Sequence, residues 1–380
     1  MIYFDNSSTK PLYPEVKKLI IDNLDEFGNA SSLHDVGYSA YQKLEESREK
    51  IAALINAEPD EIYFTSGGSE ADTQAIKTVL NSKNKNTHVI TSSFEHPAVL
   101  NAINQCVYED NNEIYASYVN ADEHGLIKPN DIKICLHNNT KLISIMYVNN
   151  EIGTIQPIKE IVAVAHEHSA LMHTDAVQAV GTIPIDVKDI GVDMLSASGH
   201  KFGAPKGIGF LYCRRGITPY KLICGGQQEN ESRAGTQNVL WAMAMAKALE
   251  ISYKHIDTTI GSGYVKYLNN MIIDSLFDIP DFRINGSAEH RVANIINVSF
   301  KGVSGEEIQT LMNERGFAIS IGSACHNGSQ EISETLKAIK VPDEYVHGTI
   351  RISLGCLNTV DEVRKFIKNL KEVVEILRKY

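Results

Sequence analysis

The sequence predicts an α/β protein, a mostly parallel sheet covered by helices and followed by a second, smaller α+β unit. Three observations carry that prediction. Over the first two-thirds, short apolar runs alternate with amphipathic stretches of helical period, the pattern of βα units. After Ile256 the texture changes to a β-like run and separate helices, which places a boundary near 256. A chain of 380 residues is also longer than one hydrophobic core serves efficiently.

Taken in order, Tyr41–Ile55 carries Tyr41, Leu44, Ile51, Leu54 and Ile55 at helical spacing with charges between, and reads as a helix. Glu61–Thr65 reads as a buried strand that ends at Ser66-Gly67-Gly68-Ser69, and Glu70–Leu80 as the helix that follows. Further strands are predicted at Val89–Thr91, Leu142–Val148, Ala170–Thr174, Met194–Ser198 and Gly209–Cys213, with helices at Ile158–Ser169 and Val239–His255. Beyond the boundary, Gly261-Ser262-Gly263 breaks or begins a helix, Val292–Phe300 is strongly β-like, and Glu306–Arg315 is a helix stopped by Gly316. Val360–Tyr380 closes the chain as an amphipathic helix, with Val363, Phe366, Leu370, Val373, Val374 and Leu377 on one face. There is no internal repeat, which excludes a solenoid.

Composition narrows the function classes. With 47 acidic against 36 basic residues the net charge is −11, which argues against nucleic acid or an anionic membrane surface as the main partner. No run approaches the ~18 apolar residues of a membrane span. The start, Met1-Ile2-Tyr3-Phe4-Asp5-Asn6, lacks the basic and apolar segments of a secretory signal, so a cytoplasmic protein is expected. Six cysteines, at 106, 135, 213, 224, 325 and 356, form no C-x-x-C pair and fit neither a zinc ribbon nor a disulfide framework. The default reading for each is an inert structural thiol.

Three segments carry chemistry. Ser66-Gly67-Gly68-Ser69 between strand and helix offers close backbone approach and free N–H groups to an anion, although a plain βα turn has the same composition. Asp175, in Met172-His173-Thr174-Asp175-Ala176-Val177-Gln178, falls just beyond the carboxyl end of a strand, where open α/β sheets bind ligands; alone it could equally cap a helix. Lys201, in Ser198-Gly199-His200-Lys201-Phe202-Gly203, lies on a glycine-flanked loop between strands, where partial burial favours a nucleophilic, Schiff-base amine. Asp175 stands 26 residues before it. A lysine for the aldehyde, an acid for the pyridinium nitrogen and an anion pocket make the set that a pyridoxal phosphate enzyme needs.

Here the chain resembles a known family. Asn149-Asn150-Glu151-Ile152-Gly153, His173-Thr174-Asp175-Ala176-Val177-Gln178, Ser198-Gly199-His200-Lys201, Arg233-Ala234-Gly235-Thr236, Gly322-Ser323-Ala324-Cys325 and Arg351-Ile352-Ser353-Leu354-Gly355 are similar, in order and spacing, to the motifs of NifS/IscS-type cysteine desulfurases of the class V aminotransferases. The resemblance runs from Asp5-Asn6 through Arg351. It implies the type I, PLP-dependent aminotransferase-like fold: a large domain over 12–256 with a seven-stranded sheet, and a small domain built from 1–11 and 257–380.

By that resemblance, Lys201 would hold pyridoxal 5'-phosphate covalently, Asp175 would pair with the ring nitrogen, Gln178 would contact the phenolic oxygen and His96 would cover the ring. Gly68, Ser69, Ser198 and His200 would hold the phosphate, with Thr236 supplied by the other subunit of a homodimer. Asn150 and Arg351 would orient the carboxylate of L-cysteine. Cys325, in a stretch of small and polar residues, would take the sulfur as a persulfide, leaving L-alanine, and would deliver it to an acceptor such as an iron–sulfur scaffold or a tRNA thiolation enzyme. Lys201, His96 and Cys325 are thus the expected catalytic residues, and His326 is placed to favour the Cys325 thiolate. The other five cysteines are expected to be structural, Cys356 alone having a loop-like setting. A selenocysteine lyase, another class V enzyme, or an interaction protein of the same fold without turnover are the alternatives.

The chain departs from the family pattern at Gln227 in Gly225-Gly226-Gln227-Gln228-Glu229, at Ala234 and Ile321 where Ser is usual, and in Asp5-Asn6-Ser7-Ser8-Thr9-Lys10. None of these removes a catalytic group. No metal is expected: His166-Glu167-His168 places its imidazoles two residues apart, on different faces of a helix. No G-x-S-x-G elbow is present.

Overall fold

The computed structural model describes residues 1–81, 86–109, 113–257, 259–321 and 332–379, with the backbone alone at 257 and 259–262. Its strands are β1 (Ile2–Tyr3), β2 (Ile62–Thr65), β3 (Thr87–Ser92), β4 (Ile114–Val119), β5 (Thr140–Ser144), β6 (Leu171–Asp175), β7 (Met194–Ser198), β8 (Gly209–Cys213), β9 (Phe282–Asn285), β10 (Ile295–Phe300), β11 (Phe317–Ala318), β12 (Ser320–Ile321) and β13 (Thr349–Ser353).

Seven of them form one sheet in the order β2-β8-β7-β6-β5-β3-β4. Its pairings are parallel except the two made by β8, which runs against β2 and β7. The period of two sorts each strand's side chains to opposite faces. Ile90, Ile143, Leu195 and Phe210 enter a core shared with the helices Asp35–Leu54 and Val239–Asp257. Val89, Leu142, Met194 and Leu211 enter a second core under the helices Gly68–Leu80 and Pro97–Glu109. With both faces covered, the central strands are buried almost throughout, their polar residues included.

A separate four-stranded antiparallel sheet, β12-β13-β10-β9, packs Ile296, Val298, Phe300, Ile350 and Ile352 against Val363, Phe366, Leu370, Val373 and Val374 of the closing helix, Val360–Leu377. A capping box of Thr359 and Glu362 starts that helix. Phe4 belongs to this core, and β1 pairs in parallel with β11, so the chain's first residues pack with its last third.

Several elements differ from expectation. The helix predicted from Tyr41 starts at Asp35, where the His34 ring caps the Gly37 N–H. The strand predicted to reach Val148 ends at Ser144, although the Ile145 and Tyr147 N–H groups still bond the His173 and Asp175 carbonyls of β6. The helix expected to begin at the glycines 261 and 263 starts two residues earlier, at Thr259. Helix Pro14–Asp22 begins with the proline its first turn tolerates. It escaped the sequence reading together with helix Pro97–Glu109 and β4.

Candidate active site

The parallel strands β3, β5, β6 and β7 all end on one edge of the sheet, and their carboxyl-terminal loops supply the site. A cavity of about 270 Å³ opens there, and Gly68, Ser69, His96, Asn150, Asp175, Gln178, Ser198, His200, Lys201 and Arg351 all border it. The structure therefore gathers ten of the twelve expected site residues in one place. Thr236 is exposed and borders a different hollow, with Ser66, Glu229 and Arg233. Cys325, with Gly322, Ser323, Ala324 and His326, lies outside the described residues.

Lys201 sits on the turn Gly199–Phe202 directly after β7. The turn closes at Gly203, which has φ +87 and packs against the Tyr13 ring, so only glycine fits without strain. Lys201 Nζ donates to the carbonyls of Ser7 (2.7 Å) and Ser8 (3.1 Å), both from the amino-terminal segment. Gln178 Nε2 donates to the same Ser7 carbonyl at 2.9 Å.

Asp175 is the last residue of β6, not the residue beyond it, and its Oδ1 accepts from the Val177 N–H at 2.9 Å. It is one of three buried acids that act on one another's ionisation at this site. Asp72 lies on the helix that follows Gly67, and Glu95 accepts from Ser92 Oγ and the Met146 N–H. Burial, reinforced by their mutual repulsion, raises the pKa of Asp72 and brings that of Glu95 to about 8; burial also raises Asp175, against the attraction of His96 and Lys201. One oxygen each of Asp72 and Glu95 has no hydrogen-bond partner. Neither residue was singled out from the sequence, because nothing local marks a helix Asp or a loop Glu as neighbours of Asp175. The Phe94-Glu95-His96-Pro97 context was the one available signal.

Burial lowers the pKa of His96, with Asp175 working against it. His96 Nδ1 accepts from the Ala98 N–H at 3.1 Å, so the neutral ring carries its proton on Nε2. His200 is lowered to about 4, first by burial and then by Lys201 and Lys206, and its buried Nδ1 has no partner.

Arg351, 4% exposed on β13, reaches the cavity from the small sheet. Its Nη1 donates to the Asn150 carbonyl (3.0 Å) and its Nη2 to Asp5 Oδ1 (3.0 Å) and Ser8 Oγ (2.7 Å), while Nε has no partner. Asp5 and Ser8 were not assigned a role from the sequence; they matter because β1 carries this segment across the cavity floor.

These residues fit pyridoxal phosphate at both ends. Ligating atoms of Asp72, His96 and Asp175 lie within 4.8 Å of one another, and a protonated ring nitrogen answers that concentration of buried acid. At the other end, a Cβ on Gly68 would stand 2.6 Å from Val177 Cγ2, so glycine there keeps the backbone close at the start of a 13-residue helix. With Ser198 beside it and the unpartnered His200 Nδ1, that helix start forms an anion cradle.

One sequence expectation resolves differently. Cys224 was expected to be a structural thiol, but it is exposed, because the 220–232 segment crosses the surface between β8 and helix Val239–Asp257. His166 Nε2 binds Asp193 (2.9 Å) and His168 Nδ1 binds the Val164 carbonyl (3.0 Å), so these imidazoles serve separate structural contacts.

Comparison with known proteins completes the picture. The aminotransferase class-V family profile matches residues 2–366. A cysteine desulfurase IscS of Methanosarcina thermophila is 41% identical over 379 residues, covering 99% of this chain and 93% of that protein. A solved NifS-like protein superposes with a TM-score of 0.92 at 32% identity, over 99% of this chain and 100% of its own. A structure described as SspA in complex with cysteine gives a TM-score of 0.82 at 34% identity, over 94% and 100%.

Proposed function

The chain belongs to the aminotransferase class-V family, and on that premise we propose how the gathered residues divide the work of a cysteine desulfurase. The protein is a pyridoxal-phosphate-dependent enzyme of that activity, acting on L-cysteine. The observation that supports the residue roles is the convergence of Lys201, Asp175, His96, His200 and Arg351 on one cavity at the sheet's carboxyl edge.

Bound cofactor supplies an electron sink that acidifies the substrate's α-carbon and weakens its C–S bond. Lys201 binds it covalently, held ready by the Ser7 and Ser8 carbonyls. Asp175 keeps the ring nitrogen protonated, with the protonated forms of Asp72 and Glu95 limiting repulsion around it. Ser198, His200 and the Gly68–Ser69 backbone hold the phosphate, and Thr236, exposed on its own subunit, completes that pocket for a second copy in a homodimer. Arg351 and Asn150 hold the substrate carboxylate. The Lys201 amine would take the α-proton of the substrate, and His96 would serve proton transfer on the opposite side. The Cys325 thiolate attacks the substrate sulfur: the S–S bond forms as the C–S bond breaks, and the β-carbon takes a proton, giving L-alanine and a persulfide. The persulfide then passes to an acceptor protein, an iron–sulfur scaffold or a tRNA thiolation enzyme. No helix among the described residues is long and apolar enough to cross a membrane, and the reading places the reaction in the cytoplasm.

Cys325→Ala tests the sulfur carrier. The variant is expected to keep the visible absorbance of bound cofactor and to lose alanine formation and persulfide transfer. Wild-type alanine formation by Cys325→Ala would overturn the role of Cys325 and favour a lyase that releases sulfur without an enzyme thiol.

A further inference from the structure

Behind the amino-terminal segment, on the side away from Lys201, lies a second cavity of about 110 Å³, several times the ~10–15 Å³ that one water needs. Its walls are mainly apolar, with Val265, Leu354 and Leu357 from the small-domain side and Tyr13 from the large core. Among the polar groups that line it and that the desulfurase reaction does not use are Lys10, Asn294 and Cys356, with Thr182, Ser252 and His255 also at its wall.

Lys10 is anchored through its backbone N–H to the His200 carbonyl at 2.9 Å, but among the described residues its ammonium has neither a hydrogen bond nor an ion pair. Burial lowers its pKa, and the neighbouring Cys356 opposes that shift. Asn294 is 7% exposed, and its Oδ1 has no partner. A buried acceptor left unpaired costs free energy that a suitable occupant relieves, and the partly buried Lys10 sets a positive charge at the same wall. Cys356 is half-buried; burial raises its pKa, so the thiol stays protonated and contributes no competing negative charge.

We propose that this cavity binds a small apolar carboxylic acid that also carries a hydrogen-bond donor, an α-hydroxy or α-amino acid with a branched hydrocarbon body. The carboxylate pairs with Lys10, the donor satisfies Asn294 Oδ1, and the body fills the space between Val265, Leu354 and Leu357 beside Cys356. A single lysine and apolar walls suit one carboxylate better than a phosphate, and an amine would be repelled.

The test uses the full-length, cofactor-loaded enzyme with 2-hydroxyisocaproate and L-leucine as probes. Calorimetry is expected to show saturable binding of one or both. At roughly four times the dissociation constant, alkylation of Cys356, followed by mass spectrometry, should slow about fivefold, with Cys224 unchanged as the internal reference. Lys10→Met should abolish both effects, and isopentylamine should produce neither. Three results overturn the proposal: no saturable heat; binding that leaves the Cys356 rate unchanged, which would place the acid at Arg351; or equal protection by isopentylamine, which removes the charge argument even if Lys10→Met does not fold.

Discussion

Among single residues, Lys201 and Asp175 were legible in the sequence because each sits in a short motif whose local geometry already implies a site. Asp72, Glu95, Asp5 and Ser8 were not, because only the fold brings them there: Asp72 from the helix after the glycine turn, Asp5 by the pairing of β1 with a strand more than 300 residues away. The three buried acids make a measurable prediction. Glu95 has a folded pKa of about 8 against an ordinary 4.5, so between those values the folded chain binds more protons than the unfolded one. Its contribution to stability therefore declines as pH rises from about 4.5 to 8 and is level outside that window. Glu95→Gln removes this decline, and its melting temperature relative to wild type should rise steadily from pH 5 to pH 8. A difference between the two proteins that does not vary with pH would mean that Glu95 is not held protonated.

Among elements, the strands were read well where they are buried on both faces. Met194–Ser198 and Gly209–Cys213 match to the residue: both are buried along their whole length, and glycine follows the first and opens the second. Helix Pro97–Glu109 and β4 were missed; β4, Ile114–Val119, is the edge strand of the sheet, and several of its positions are only partly buried. The turn that carries Lys201 depends on Gly203. Gly203→Ala would force a side chain into left-handed backbone, at about 1–2 kcal/mol, and would also put its Cβ 2.5 Å from the Tyr13 ring. The urea midpoint should fall, and the fraction of protein retaining bound cofactor should fall with it. An unchanged midpoint would show that the turn can relax around the new methyl.

At the scale of the molecule, the change of texture after Ile256 was visible in the sequence, but the traffic between the two ends of the chain was not. Phe4 packs edge-on against Phe366 at 5.0 Å between centroids, and Phe317 meets the same ring at 5.7 Å. Phe366→Ala should therefore cost about 3–5 kcal/mol and also loosen the amino-terminal segment that holds Lys201 and Arg351. Circular dichroism should report the lower thermal midpoint, and bound-cofactor absorbance should be lost at or below that temperature. Cofactor release well above the unfolding of the small core would refute this linkage.

The pairing of β1 with β11, and of Phe4 with Ser353 through backbone hydrogen bonds, also orders events during synthesis. The first ten residues leave the ribosome long before the segments that hold them exist. The large sheet, complete by Cys213, can form behind them while the floor of its own cavity is still unattached. A nascent chain stalled before residue 317 therefore carries the lysine, the acids and the Ser7 and Ser8 carbonyls, but not the strand β11 whose pairing with β1 anchors the segment that bears those carbonyls. Productive capture of the cofactor becomes a late event, set by the arrival of the chain's last third.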